Sequence, residues 1–293
     1  MMNHLPRRQF LKTSGLALGA ALPALSFARD NEKLPGIALQ LYTVRDKFST
    51  DIPGTLHKIG AMGITHVETA FWPQGVTVKQ AAQYIKDAGL SVCSSHVDIP
   101  TGDKKAGVLQ AAEAFGSKKI IWHGWPEDKR YSSLDGTKEL IDIYNKAGET
   151  AKANGLQFGL HNHWWEFRNK VGGRFVYEWL LEGVSKDIFF EIDTYWVKVA
   201  GHDPAAIIQK YGSRAKFLHM KDGPAKFSAA LLSDKPDPMV PLGKGTQNVP
   251  AIASAAKKYI DWMVIEMDVV QGDVFAAIQE SYQYLVRYKF AQA

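Results

Sequence analysis

Four apolar stretches in the second half of the chain are interrupted by groups that ligate metals or move protons. They read Gly159-Leu160-His161-Asn162-His163, Phe189-Phe190-Glu191-Ile192-Asp193, Phe217-Leu218-His219-Met220-Lys221 and Val264-Ile265-Glu266-Met267-Asp268. Successive side chains of a strand point to opposite faces, so His161 shares a face with His163, Glu191 with Asp193, His219 with Lys221 and Glu266 with Asp268. An unpaired buried carboxylate is costly, so Glu266, between Ile265 and Met267, requires a cation, hydrogen bonds or water. A divalent ion supplies the first of these. His161, Asp193, His219 and Glu266 form a mixed nitrogen and oxygen set suited to one ion such as Mn, Co, Zn or Mg. Taken singly, each residue also has a structural reading, as a core histidine bonded to a carbonyl or an acid paired with Lys221. The single cysteine, Cys93, excludes thiolate-rich metal sites and an intramolecular disulfide framework.

Positioning such groups requires strands that end close together. Eight short apolar runs alternate with amphipathic stretches: Gly36 to Leu41, Thr65 to Ala70, Ser91 to His96, Lys119 to His123, Gln157 to His163, Ile188 to Asp193, Lys216 to Lys221 and Trp262 to Asp268. Between them, Leu140, Ile143, Tyr144, Ala147 and Ala151 recur at helical spacing, as do Val274, Ile278, Tyr282 and Leu285. Gly63, Gly89, Gly116, Gly155 and Gly212 stand where left-handed caps would end helices. Parallel neighbours need crossover connections, so the alternation predicts an α/β fold, a (β/α)8 TIM barrel. An open doubly wound sheet fits less well, because Leu41-Tyr42-Thr43-Val44-Arg45 follows the first strand where a glycine-rich phosphate loop belongs. The active site of such a barrel lies at the C-terminal strand ends, which adds Glu68, His96 and His123 as substrate-binding candidates. The connection from Gly223 to Asn248 is long enough to be a functional loop, and its Gly243-Lys244-Gly245-Thr246 segment could cradle an anion.

The chain has 293 residues and a formal net charge of +5. Part of that charge sits in the first 28 residues, where Arg7-Arg8-Gln9-Phe10-Leu11-Lys12 precedes an apolar run and Ser26-Phe27-Ala28. This resembles a twin-arginine signal, which implies an exported or periplasmic protein whose barrel domain spans 29–293. The run is interrupted by Pro23 and too short for a stable membrane anchor. Loss of 1–28 would leave 32 basic against 30 acidic residues. Nucleic-acid binding then lacks its electrostatic support.

Leu160-His161-Asn162-His163 with Glu166-Phe167, Ile192-Asp193-Thr194, His219-Met220-Lys221-Asp222 and Ile265-Glu266-Met267-Asp268 resemble the motifs of the xylose isomerase-like sugar isomerase/epimerase superfamily. Gln40-Leu41-Tyr42-Thr43-Val44-Arg45-Asp46 and Gly243-Lys244-Gly245 are similar as well, so the resemblance covers nearly the whole chain beyond residue 28. It implies one divalent metal held through Asp193, His219 and Glu266. His161 stands where many relatives have glutamate, and His163 is the rival for that position. It also implies proton abstraction next to a carbonyl, with Glu266 as base and Glu166, His163 or Lys221 as second proton carrier. Isomerisation or epimerisation is the expected reaction, and elimination by a carbon-oxygen lyase is the alternative, to which the histidine adds weight. An exported protein meets few sugar phosphates, so the expected substrate is an unphosphorylated sugar, polyol or keto-glycoside. Trp72, Trp125, Trp164, Trp165 and Trp196 fall near strand ends, and of these Trp125, Trp165 and Trp196 are the named substrate contacts. DNA cleavage, disfavoured by charge and by the export signal, and a non-catalytic periplasmic sugar-binding role are the remaining alternatives, and a homo-oligomer is a possible assembly.

Overall fold

Eight strands alternate with eight helices of two turns or more. In the computed structural model, residues 34–228, 230–231 and 236–293 are described; the expected export segment 1–28 lies outside them. The strands are β1 (Gly36–Gln40), β2 (His66–Thr69), β3 (Ser91–Val97), β4 (Lys119–Trp122), β5 (Gln157–His161), β6 (Phe189–Asp193), β7 (Ala215–Met220) and β8 (Trp262–Ile265). All pair in parallel with their sequence neighbours, and β8 pairs with β1 to close the barrel. The helices are α1 (Ile52–Ala61), α2 (Val78–Asp87), α3 (Lys105–Phe115), α4 (Leu134–Ala153), α5 (Val176–Gly183), α6 (Pro204–Tyr211), α7 (Val249–Ala256) and α8 (Val274–Arg287). The expected (β/α)8 barrel is the observed fold. Two expected strands end two or more residues early, at His161 and Ile265, which leaves His163, Glu266 and Asp268 beyond the ladder. No helix among the described residues is long and apolar enough to cross a membrane.

Local chemistry starts several of these helices. The Asp51 carboxylate accepts the Gly54 amide ahead of α1, Thr77 and Gln80 form a reciprocal capping box on α2, and Asp203 accepts the Ala205 amide at α6. Leu140, Tyr144, Ala147 and Ala151 of α4 are buried, as their spacing requires. Gly63, Gly89, Gly116 and Gly155 have positive φ, the left-handed conformation expected of them. Gly212 differs: its φ is −60°, and a Cβ there would lie 2.7 Å from the ring of Tyr259. Close packing selects glycine at that position.

Inside the barrel, Ala38, Cys93, Ile121, Phe189, Phe217 and Val264 form an apolar layer. Two residues further along four of these strands the row turns polar, with Gln40, Glu191, His219 and Glu266. The apolar layer excludes water from below, so every polar group above it needs a protein partner, an ion or the open end of the barrel.

The loop after β7 corrects one expectation. Its glycine segment does not offer a vacant anion cradle, because the Asp222 carboxylate fills it. Asp222 Oδ2 accepts the amides of Gly243 (2.9 Å) and Gly245 (3.1 Å), while Oδ1 accepts those of Gly223 (2.8 Å) and Gln247 (3.0 Å). A Cβ on Gly245 would overlap Asp222 Oδ1 and the Gly223 nitrogen. Gly245→Ala is therefore expected to lower stability by about 1–3 kcal/mol, the usual cost of overpacking, in a denaturant titration. An unchanged midpoint would show that the loop can yield.

Candidate active site

Residues from β6 to β8 converge at the C-terminal end of the barrel. Asp193 ends β6 and divides its work: Oδ1 accepts the amides of Tyr195 (2.9 Å) and Trp196 (3.0 Å), capping the Thr194–Val199 helical turn. Its second oxygen, Oδ2, faces the cluster. His219 Nδ1 lies 2.6 Å from Glu266 Oε2 and 3.9 Å from Asp193 Oδ2, and His161 Nε2 is 3.8 Å from the same Asp193 oxygen. The Lys221 ammonium is 2.9 Å from Asp193 Oδ2, 2.8 Å from Glu266 Oε2 and 3.0 Å from Asp268 Oδ2.

Asp193 Oδ2, His219 Nδ1 and Glu266 Oε2 are buried, and despite these short approaches none has a directed hydrogen bond. The three atoms are close enough to share one cation. Two carboxylate oxygens and an imidazole nitrogen, with the His161 nitrogen beside them, are a donor set that a divalent ion of borderline softness accepts. The residues present therefore fit the metal that the sequence suggests.

A second set lies one layer deeper. His219 Nε2 meets Glu68 Oε1 at 2.7 Å, and His161 Nδ1 meets Glu191 Oε2 at 3.0 Å. His96 Nε2 sits between these carboxylates, 2.6 Å from Glu191 Oε2 and 3.1 Å from Glu68 Oε1. Glu68 is fixed further by the Gln40 amide at 2.7 Å and by a hydrogen bond from the Ser94 hydroxyl. A register shift between β2 and β3, after Val67, turns Ser94 and His96 toward Glu68.

Charge and burial compete throughout the cluster. Burial alone would raise Glu266, but the Lys221 ammonium and His219 outweigh it and hold its carboxyl well below the ordinary range. Burial opposes the Lys221 charge, yet Asp193, Asp268 and Glu266 push its ammonium well above the usual lysine value. Asp268 is pushed up to about 6 by burial against the pull of Lys221, with Glu266 and Asp193 adding repulsion. Burial keeps His161 and His163 well below the ordinary histidine value, the first helped by His219 and the second by Lys221. Both imidazoles are therefore neutral, the form that ligates metals.

Above the cluster opens a cavity of about 280 Å³. His96, His161, His163, Lys221, Glu266 and Asp268 line its floor and walls, with Trp125, Trp164, Trp196, His123 and Phe71 around them. Tyr42 and Arg45, just past β1, and Leu231 and Pro236, from the loop after β7, complete it. Arg45 is committed: its guanidinium donates to the carbonyls of Tyr42 (2.9 Å) and Asp268 (2.8 Å).

Four residues expected near the site stand elsewhere. Glu68, expected at the substrate, lies fully buried beneath His96 and His219, because Gln40 and Ser94 hold it in the barrel interior. Glu166 is off the cavity wall; its Oε2 accepts the His163 amide at 2.9 Å, and burial pushes its carboxyl up to about 8. Trp165 is buried below the wall, stacked on His163 with centroids 4.4 Å apart. Trp72 packs outside the cavity, stacked between Phe48 and Phe115. His163 lines the cavity and His161 is the histidine placed beside Asp193. Glu191 and Asp268, which the sequence marks only by the strand parity they share with Asp193 and Glu266, join the cluster. Tyr42 and Arg45 carried a weaker signal, their place directly after the first strand.

Comparison with known proteins accords with this architecture. The chain is 25% identical over 176 residues to an inosose dehydratase of Serratia proteamaculans, covering 56% of this chain and 58% of that protein. It is 24% identical over 200 residues to the inosose dehydratase of Yersinia enterocolitica, covering 64% and 63%. The alignments thus span less than two thirds of these relatives. A sugar phosphate isomerase/epimerase structure from Parabacteroides distasonis superposes with a TM-score of 0.72 at 25% identity, covering 88% of this chain and all of that one. The family model described as xylose isomerase-like TIM barrel matches residues 56–288, most of the chain and all but the first of its strands, and the chain belongs to that family.

Proposed function

We propose that this protein is a metal-dependent enzyme that removes the proton next to a carbonyl of an unphosphorylated keto-sugar or keto-glycoside and completes the reaction by elimination, as a carbon-oxygen lyase. One observation carries the choice of elimination. The only carboxylates lining the cavity among the described residues, Glu266 and Asp268, both come from the end of β8. Epimerisation draws on proton carriers on two faces of the substrate. Here the β5 position holds a neutral histidine, and Glu166 is turned into its own loop. Elimination needs one base and one proton donor, which this wall supplies.

His161, Asp193, His219 and Glu266 would hold the ion. A bound divalent ion supplies Lewis acidity, which polarises a carbonyl oxygen and acidifies the adjacent C–H. Glu266 takes that proton, and Lys221, from the neighbouring strand end and held as an ammonium by Asp193, Asp268 and Glu266, donates one to the departing oxygen, which leaves as water or an alcohol. The pairing that keeps Glu266 ionised also makes it a weak base, so the substrate C–H must be acidified before Glu266 can act. Trp125, Trp164 and Trp196, with Leu231 and Pro236, give the cavity apolar surface.

The absence of a phosphate from the substrate has support in the cavity. Among the described residues, the lysine and arginine that line it, Lys221 and Arg45, are both committed to protein partners. The nearby glycine amides are filled by Asp222. The names of the curated relatives, dehydratases, favour elimination as well.

The test incubates the metal-loaded protein with inososes, keto-sugars and 3-keto-glycosides in deuterium oxide and follows the reaction by NMR. Release of water or alcohol with formation of an unsaturated ketone is the expected result. Deuterium entering an intact carbon skeleton would replace the lyase reading with isomerisation or epimerisation. Absence of exchange and of elimination in every substrate would overturn the catalytic reading.

A further inference from the structure

The two histidines of the cluster each turn one ring nitrogen toward Asp193 and Glu266 and the other toward the barrel interior. For His161 these are Nε2, 3.8 Å from Asp193 Oδ2, and Nδ1, 3.0 Å from Glu191 Oε2. For His219 they are Nδ1, 2.6 Å from Glu266 Oε2 with no directed hydrogen bond, and Nε2, 2.7 Å from Glu68 Oε1. The strands present the two rings in opposite senses, yet both meet a carboxylate below and a cluster of potential ligands above.

We propose that Glu68 and Glu191 are positioning residues that fix the tautomers of His219 and His161, so that Nδ1 of the first and Nε2 of the second face a single cation. This inference rests on the metal reading given above. A neutral imidazole carries one N–H, and donating it to the interior carboxylate leaves a lone pair on the outer nitrogen. Two fully buried carboxylates also require permanent partners. Gln40 and Ser94 hold Glu68, His96 bridges Glu68 and Glu191, and the two ligand rings complete the set. The arrangement gives a reason for histidine at the end of β5. His161 adds no charge to the outer site, but Glu191 beneath it supplies a negative charge one ring away and makes the nitrogen a stronger donor.

Two measurements on the full chain test this. In the zinc-loaded wild type with nitrogen-15-labelled histidine, His219 is expected to carry its proton on Nε2 and His161 on Nδ1. Competition with a chromophoric chelator is expected to show one zinc per chain, bound about 10- to 100-fold more weakly by Glu68→Gln and by Glu191→Gln. Retention of the apo fold, checked by circular dichroism, separates this effect from unfolding. The tautomer assignment needs only the wild type and decides the matter if the variants fail to fold. The opposite tautomer at either ring, or affinities within twofold of wild type in both variants, would overturn the proposal and leave the metal reading intact. Two zinc ions per chain, the second lost in His96→Ala, would also overturn it, because the interior group would itself be a metal site. No zinc in the wild type would overturn the metal reading and this inference together.

Discussion

Glu266→Gln is expected to slow proton removal from substrate by about a thousandfold, within the range for loss of a general base, while leaving the barrel folded. The glutamine keeps the shape of the side chain and cannot accept a proton. Glu266 sits on the cavity wall, with Oε2 directed at His219 and Lys221. Lys221 keeps Asp193 and Asp268 as partners in the variant, so the ammonium is not left unpaired. Because Glu266 also belongs to the ligand set, metal content is measured on the same sample. A variant that retains its ion but loses exchange of the substrate proton isolates the role as base. Wild-type exchange would remove Glu266 from the mechanism.

Replacement of Asp193 carries the second large effect, and two substitutions separate its two tasks. Asp193→Asn keeps an acceptor for the Tyr195 and Trp196 amides but loses the anionic ligand. Its metal affinity is expected to fall by more than the 10- to 100-fold typical of partners outside the ligand set. Asp193→Ala loses the cap as well, so its metal-free form is expected to be about 1 kcal/mol less stable than that of Asp193→Asn. In the wild type, free metal at one hundred times its Kd raises stability by about 2.7 kcal/mol through mass action, and neither variant shows that gain at the same concentration. Unfolding curves with and without metal read both effects. Full metal-linked stabilisation in Asp193→Asn would exclude Asp193 as a ligand.

The two variants also mark where sequence reasoning reached and where it stopped. That Asp193 stands at a strand end beside other ligating residues follows from parity along Phe189 to Asp193. That one of its oxygens caps a helical turn, so that only the other is available, depends on how the chain bends after β6. Glu68 and Glu166 show the same limit. Both are acids near strand ends, yet Gln40 and Ser94 draw one into the barrel interior, and a loop amide holds the other off the wall. Asp222 gives a third case: the glycine segment reads as a cradle for an anion, and in space the anion that fills it is this carboxylate.

Sequence by itself determined the barrel, the order of its strands and the strand ends that carry the ligating groups, because hydrophobic period, glycine placement and alternation of elements are local properties of the chain. It also determined that His161 and His163, Glu191 and Asp193, His219 and Lys221, and Glu266 and Asp268 pair on common faces, since strand parity needs no partner. Only the tertiary structure decided which ring nitrogen faces which carboxylate, which acids reach the cavity, and that an interior layer of Glu68, His96 and Glu191 underlies the outer cluster. Those features depend on the register of neighbouring strands, including the shift between β2 and β3, and on the partners that each buried charge finds across the barrel, which lie up to 151 residues apart in sequence.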